Sequence, residues 1–130
     1  MNYKRLSAIV FLFAFGTMTA GVWARQARSE GNGEHVKTID VAASRFEFAP
    51  GTITVVQGDS VRLRIHSTDR SHGVAIKAFR VKAVIPESGA AVTVQFVADR
   101  AGAFDITCSE YCGRGHVGMK GRLIVLAKTR

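Results

Sequence analysis

Apolar and polar residues alternate in three stretches of the chain. Val61-Arg62-Leu63-Arg64-Ile65, Val92-Thr93-Val94-Gln95-Phe96 and Phe104-Asp105-Ile106-Thr107-Cys108 each place every second side chain on one face. A period of two is that of a half-buried strand with its apolar face inward. Further strand candidates are Thr38–Ala42, Thr52–Val56, Val74–Lys77, Arg80–Val84 and Leu123–Leu126. Turn formers separate them: Pro50-Gly51, Gln57-Gly58-Asp59, Pro86-Glu87-Ser88-Gly89 and Arg100-Ala101-Gly102. Strands recurring about every 8–12 residues between such turns predict an all-β sandwich or barrel over residues 37–130. No segment after residue 30 carries a convincing helical period.

The first 24 residues follow another pattern. Lys4 and Arg5 precede an uncharged stretch from Leu6 to Ala24, most apolar over Ala8–Phe15. This predicts one hydrophobic helix ahead of the β domain. It fits a secretory signal ending at Val22-Trp23-Ala24. It equally fits an uncleaved membrane anchor, because the stretch spans roughly 28 Å at ~1.5 Å per residue. Either way Lys4 and Arg5 stay inside, which places the rest of the chain in the periplasm or its equivalent. Residues 25–36 are polar, contain Gly and lack an apolar period, so they read as a flexible tether.

A length of 130 residues fits one domain and excludes a multidomain enzyme or a multi-span transporter. Two cysteines are too few for a disulfide-built miniprotein. The formal charge of +8 shrinks on inspection. Lys4, Arg5, Arg25 and Arg28 against Glu30 account for +3 of it, leaving +5 on residues 31–130. The basic residues there are spread singly, as in Arg62, Arg64, Lys77, Arg80 and Lys82, unlike a nucleic-acid-binding arm. No nucleophile–base set, phosphate-cradling loop or pair of acid/base carboxylates is evident, so catalysis by the isolated chain is not expected.

The chemistry-bearing residues lie close together near the end. Cys108-Ser-Glu-Tyr-Cys112-Gly-Arg-Gly-His116-Val-Gly-Met119 reads C-x3-C-x3-H-x2-M. Cys108 shares a strand face with Phe104 and Ile106, which aims its sulfur into one end of the sandwich. The following loop brings a second sulfur, an imidazole and a thioether to the same end. Gly113 and Gly115 are expected to let the chain turn tightly and bring His116 back. Two thiolates, an imidazole and a thioether form a soft ligand set that favours copper, Cu(I) in particular, over magnesium or calcium. Zinc accepts Cys and His but gains nothing from the Met. His72, in Asp69-Arg-Ser-His72-Gly73 between two predicted strands, is the candidate second imidazole. His66 reads as a surface residue, and His35 falls in the tether.

The residues just quoted resemble the copper-binding domain of cytochrome c oxidase subunit II, a cupredoxin with a dinuclear copper centre of the CuA kind. The likeness runs from about Phe46 to Val125. It includes Phe48-x-Pro50, Gly58-Asp59-x-Val61, His72-Gly73, Phe96-x-Ala98-Asp99-x-x-Gly102 and the Cys108–Met119 segment. It implies a cupredoxin-like Greek-key β-sandwich binding two copper ions. Cys108 and Cys112 would be the bridging thiolates, and His72 and His116 the terminal imidazole ligands. Met119 would be a weak thioether ligand, and Glu110 would ligate through its backbone carbonyl. In nitrous-oxide reductase, which has a similar centre, the position of Glu110 is a Trp, so Glu points to the oxidase branch. The implied role is electron transfer, from a c-type cytochrome or another periplasmic redox protein towards subunit I of a haem–copper oxidase.

Other readings stand beside this one. The two cysteines alone would suit a disulfide in an exported protein. Oxidase subunit II commonly has two membrane helices and an aromatic segment at the start of its domain. Here there is one candidate helix, and no Trp follows Trp23. Family members that take electrons from basic cytochromes often offer carboxylates, whereas this domain is basic. A free-standing exported CuA-like cupredoxin, and a copper carrier or sensor, are therefore the alternative functions.

Overall fold

A computed structural model describes residues 36–129. The predicted N-terminal helix, whether signal or anchor, and residues 25–35 of the predicted tether lie outside the described residues. Within them the chain is all-β, with two single-turn 3-10 helices at Lys77–Phe79 and His116–Gly118. Among the described residues, no helix is long and apolar enough to cross a membrane.

Among the described residues, nine strands form two sheets. They are β1 (Val36–Ser44), β2 (Glu47–Ala49), β3 (Thr52–Val56), β4 (Ser60–Ser67), β5 (His72–Ile76), β6 (Val81–Ile85), β7 (Val92–Val97), β8 (Gly102–Thr107) and β9 (Lys120–Leu126). One sheet runs β2-β1-β4-β7 and the other β3-β9-β8-β5-β6. The β1/β4 and β3/β9 pairs are parallel, and the remaining pairs are antiparallel. Parallel neighbours cannot be joined by a tight hairpin, so the chain crosses between the sheets to make them.

The alternating segments became strands for the reason their pattern gives. In β4, Val61, Leu63 and Ile65 are buried while Arg62 and Arg64 face outward. Burying one such aliphatic side chain stabilises the fold by about 1.5–3 kcal/mol. The two inner faces supply Val41, Ala43, Leu63 and Ile65 from one sheet and Ile53, Val55, Val74 and Leu123 from the other, all in one core. Strand β2 is three residues long and was not foreseen, being too short to show a period. Strand β8 ends one residue earlier than expected, at Thr107. Cys108 follows it, still buried, with its N–H donating to the Met119 carbonyl at 3.2 Å. Phe104 is only half-buried and meets the Phe79 ring edge-on at 4.9 Å between centroids.

The registers define two ends. At one lie Ser44, Ser67, His72, Ile85, Thr107 and Lys120. At the other lie Val36, Val56, Ser60, Val97, Gly102 and Leu126. Backbone bonds Gly58 N–H to Ala98 and Ala98 N–H to Asp59, of 2.8 and 2.9 Å, close the second end. The cysteine-containing segment closes the first.

Candidate metal centre

Three loops meet at the first end: residues 45–46 between β1 and β2, residues 68–71 between β4 and β5, and residues 108–119 between β8 and β9. The last begins where β8 stops and returns to the ladder at Lys120. Its shape is set by four backbone bonds: His116 N–H to Gly113, Gly118 N–H to Gly115, Met119 N–H to His116 and Cys108 N–H to Met119, of 2.9–3.2 Å. These bonds coil the loop over its own start and bring its donor atoms together.

The sulfurs of Cys108 and Cys112 are 3.7 Å apart, and both thiols are free and buried. The Met119 sulfur lies 3.7 Å from the Cys112 sulfur, and His116 Nδ1 lies 3.8 Å from it. The Glu110 carbonyl oxygen is 3.1 Å from the Cys108 sulfur. From the second loop, His72 enters at the start of β5. One ligand atom from each of His72, Cys108 and Cys112 lies within 4.8 Å of the others. All six residues singled out in the sequence are thus near one another. His66 sits on the outer face of β4 opposite Ala42 and takes no part. His35 lies outside the described residues.

The His72 ring is fully buried, and its Nε2 is 2.7 Å from the Asp69 carboxylate. Its Nδ1 is buried without a hydrogen-bond partner. An orphaned imidazole nitrogen in a closed site is costly unless something occupies it. One nitrogen of the ring lies within 4.8 Å of both thiols, a donor set suited to a soft metal ion. The residues present therefore fit copper.

Electrostatics divide the site in two. Burial pushes the Cys112 thiol well above its ordinary value, and the adjacent Cys108 sulfur adds to the shift. The metal-free Cys112 thiol is therefore protonated at neutral pH, and a bound cation would displace that proton. Burial also opposes ionisation of Asp69. It is outweighed by hydrogen bonds from His72, from the Arg45 and Arg70 backbone N–H groups and from the Arg45 guanidinium. Together they hold the carboxyl well below the usual carboxylate range. Its contacts are 2.8 Å to Arg45 N, 2.7 Å to Arg70 N and 3.3 Å to Arg45 Nε. A fixed, ionised Asp69 holds the His72 ring by Nε2 and leaves Nδ1 without a protein partner.

Sequence reasoning missed Asp69, Arg45 and Phe46. Asp69 carried a usable signal, a carboxylate three residues before a candidate ligand in one loop. Phe46 carried none, because its role depends on two glycines far along the chain. Its ring lies over Gly113 and Gly115. A Cβ on Gly115 would fall 2.3 Å from the ring, and one on Gly113 3.1 Å from it. This corrects the expectation that both glycines serve a tight turn. Gly113 has φ +134° and does need its backbone freedom, but Gly115 has φ −85° and is a glycine because Phe46 fills its side-chain space. Gly73 is likewise excluded from carrying a side chain, since a Cβ there would lie 2.7 Å from the Glu110 nitrogen. The β5 backbone and the cysteine loop therefore approach as closely as two main chains can.

Comparison with known proteins agrees with this arrangement. The cupredoxin-like domain family matches residues 8–125. Cytochrome c oxidase subunit 2 of Thermus thermophilus is 34% identical over 107 residues, covering 81% of this chain and 78% of that protein. Nitrous-oxide reductase of Cupriavidus necator is 33% identical over 101 residues, which cover 74% of this chain but 15% of the reductase. Among solved structures, the periplasmic domain of subunit II of cytochrome oxidase of Bradyrhizobium japonicum superposes with a TM-score of 0.63. It is 22% identical, and the match covers 71% of this chain and 85% of that one.

Proposed function

The chain belongs to the cupredoxin-like family and is a relative of cytochrome c oxidase subunit 2, and from that premise we propose that it transfers electrons through a dinuclear copper centre of the CuA kind. The observation that carries this reading is the pairing of two free, buried thiols 3.7 Å apart beside His72, whose buried Nδ1 has no partner. A mononuclear site needs only one thiolate; two at this separation suit a shared pair of ions. Cys108 and Cys112 would bridge the ions, with His72 and His116 as terminal ligands. Met119 and the Glu110 carbonyl would complete the set. When bound, the copper pair supplies a one-electron couple in which the charge is spread over both ions.

The protein's part is to keep the ligands in one place in both redox states. Buried Cys112 and Met119 exclude water from the site. Asp69 fixes the His72 ring, and Phe46 braces the loop that carries His116. Preorganisation of this kind keeps the structural change on electron transfer small. Tyr111 and Val117, 73% and 80% exposed, flank His116 and offer an apolar face on which a redox partner can dock. The partners consistent with this reading are a periplasmic donor such as a c-type cytochrome and subunit I of a haem–copper oxidase as acceptor. The domain would work outside the cytoplasmic membrane.

Titration of the reduced chain with copper tests the proposal. Saturation at two ions per chain, with release of thiol protons, is expected. Formation of a Cys108–Cys112 disulfide without metal uptake after thorough reduction would overturn it. Co-purification with a haem-bearing subunit separates an oxidase subunit from a free-standing shuttle.

A further inference from the structure

The outer faces of the two sheets differ in charge. On the four-stranded sheet the outward-facing charged residues are Arg62 and Arg64 against Asp40 and Glu47, which cancel. Arg64 lies 3.4 Å from Asp40. On the five-stranded sheet Lys82, Lys120 and Arg122 face outward from β6 and β9, and Lys77 stands just past the end of β5. Against these four bases the same face carries one acid among the described residues, Asp105, 3.8 Å from Arg122. Among the described residues, Lys77, Lys82 and Lys120 are exposed and form no ion pair. Like charges gathered on one face repel each other, so the fold itself gains nothing from them.

The registers set these residues side by side. Lys82 is opposite Ala75, Ala75 opposite Thr107 and Thr107 opposite Lys120, one row across four strands. Its ends are three strand spacings apart, roughly 14 Å. In the next row Arg122 is opposite Asp105, and Lys77, Ala103, Asp105, Thr107 and Arg122 line one groove. Small side chains such as Ala75, Ala103 and Thr107 lie between the bases, so a partner's carboxylates can reach the Lys and Arg heads unobstructed. Val84, 55% exposed and opposite Gly73, adds an apolar contact at the edge of the same face. The first row also adjoins the metal centre: Thr107 precedes Cys108, and Lys120 follows Met119.

We propose that the basic outer face of the five-stranded sheet docks an acidic protein, and that this protein is the electron donor. A relay serves a donor and an acceptor, and the apolar face around His116 holds one of them at a time. The sheet face gives the other a place beside the same centre. Bases held on a rigid sheet suit a second folded surface with carboxylates in a fixed, opposite pattern, which speeds encounter and rejects basic partners. The donor role rests on the electron-transfer reading above; the docking itself does not.

The test uses the full isotope-labelled chain, loaded with Cu(I) and held in a non-ionic detergent, with its backbone amides followed by nuclear magnetic resonance. The titrants are two ferrous c-type cytochromes, one acidic and one basic. With both proteins reduced no electron moves, so shifts report binding alone. The acidic cytochrome should shift the amides of Ala75, Lys82, Asp105, Thr107, Lys120 and Arg122, and the basic one should leave them in place. The shifts should vanish at about 0.5 M salt, where the screening length falls to a few ångströms. The dissociation constant of the acidic cytochrome should rise several-fold in the K77Q/K82Q variant. It should stay unchanged in R62Q/R64Q, which removes as much positive charge from the other sheet. The salt arm stands on the unmodified chain should a variant fail to fold. Equal shifts from the basic cytochrome would overturn the proposal, and so would an unchanged dissociation constant in K77Q/K82Q or shifts confined to Tyr111–Gly118. Because binding is what is read, a chain that holds one copper yet docks the acidic cytochrome here would keep this face and lose the dinuclear centre.

Discussion

At the end of the sandwich opposite the cysteine loop, Asp59, Gly58 and Arg100 each have a structural explanation. Asp59 ties the turn after β3 by accepting the Val56 N–H. Gly58, at φ +96°, occupies a conformation that suits glycine. Arg100 lies 5.5 Å over the Phe79 ring and donates to the Ala78 carbonyl, while Phe79 stacks on Phe96 at 5.0 Å. At the metal end, packing leaves chemistry unexplained. A buried imidazole nitrogen lacks a partner, two thiols sit side by side unbonded, and a thioether is sealed beneath them. Both ends close the same sheets. Residues that serve only the fold are satisfied by the fold, and those that serve a ligand are left in want of one.

The comparison can be broken most directly at Cys112. Cys112→Ser should reduce copper from two ions per chain to one at most, with circular dichroism of the sheets unchanged. Unchanged copper content would remove the thiol from the site. At the other end, Phe79→Ala should cost about 2–3 kcal/mol in denaturant unfolding, below the range for a fully buried ring because Phe79 is half-buried. Its copper spectrum should match that of the parent chain; a shifted spectrum would show that the two ends are not independent.

Asp69→Asn keeps the volume and removes the charge that holds His72. Copper affinity should fall about 10–100-fold, as is usual when a ligand loses its orienting partner. Competition with a Cu(I) chelator reads this, and the electronic spectrum should shift as well, which simple destabilisation would not cause. Gly115→Ala sets a Cβ against the Phe46 ring and should cost about 1–3 kcal/mol. Gly118→Ala meets nothing within 4 Å and should stay within about 0.5 kcal/mol of the parent. Adding Phe46→Leu should recover part of the Gly115→Ala loss, which a double-mutant cycle measures.

The sandwich was legible where alternation was long. β4, β7 and the core-facing half of β8 follow directly from Val61–Ile65, Val92–Phe96 and Phe104–Cys108. β2 was not, because three residues cannot display a period. The donor atoms were legible because ligand spacing is local: five of the six lie within twelve residues, and His72 opens β5 just after the readable strand β4. What supports them was not. Arg45 reaches Asp69 across 24 positions, and Phe46 reaches Gly115 across 69. Such contacts are set by which loops share an end of the sandwich, and β1 running parallel to β4 is what places Arg45 and Phe46 beside them. The identity of Gly115 shows the same limit. A glycine chosen for turning and a glycine chosen for a neighbour's ring look alike in one dimension.

The measurement that bears most directly on the paired thiols is the electron paramagnetic resonance spectrum of the copper-loaded, oxidised chain, recorded with a copper count on the same sample. Two coppers per chain, and hyperfine structure from one electron shared equally between two copper nuclei, are the predicted result. One copper with hyperfine structure from a single nucleus would contradict the dinuclear centre and leave a mononuclear cupredoxin.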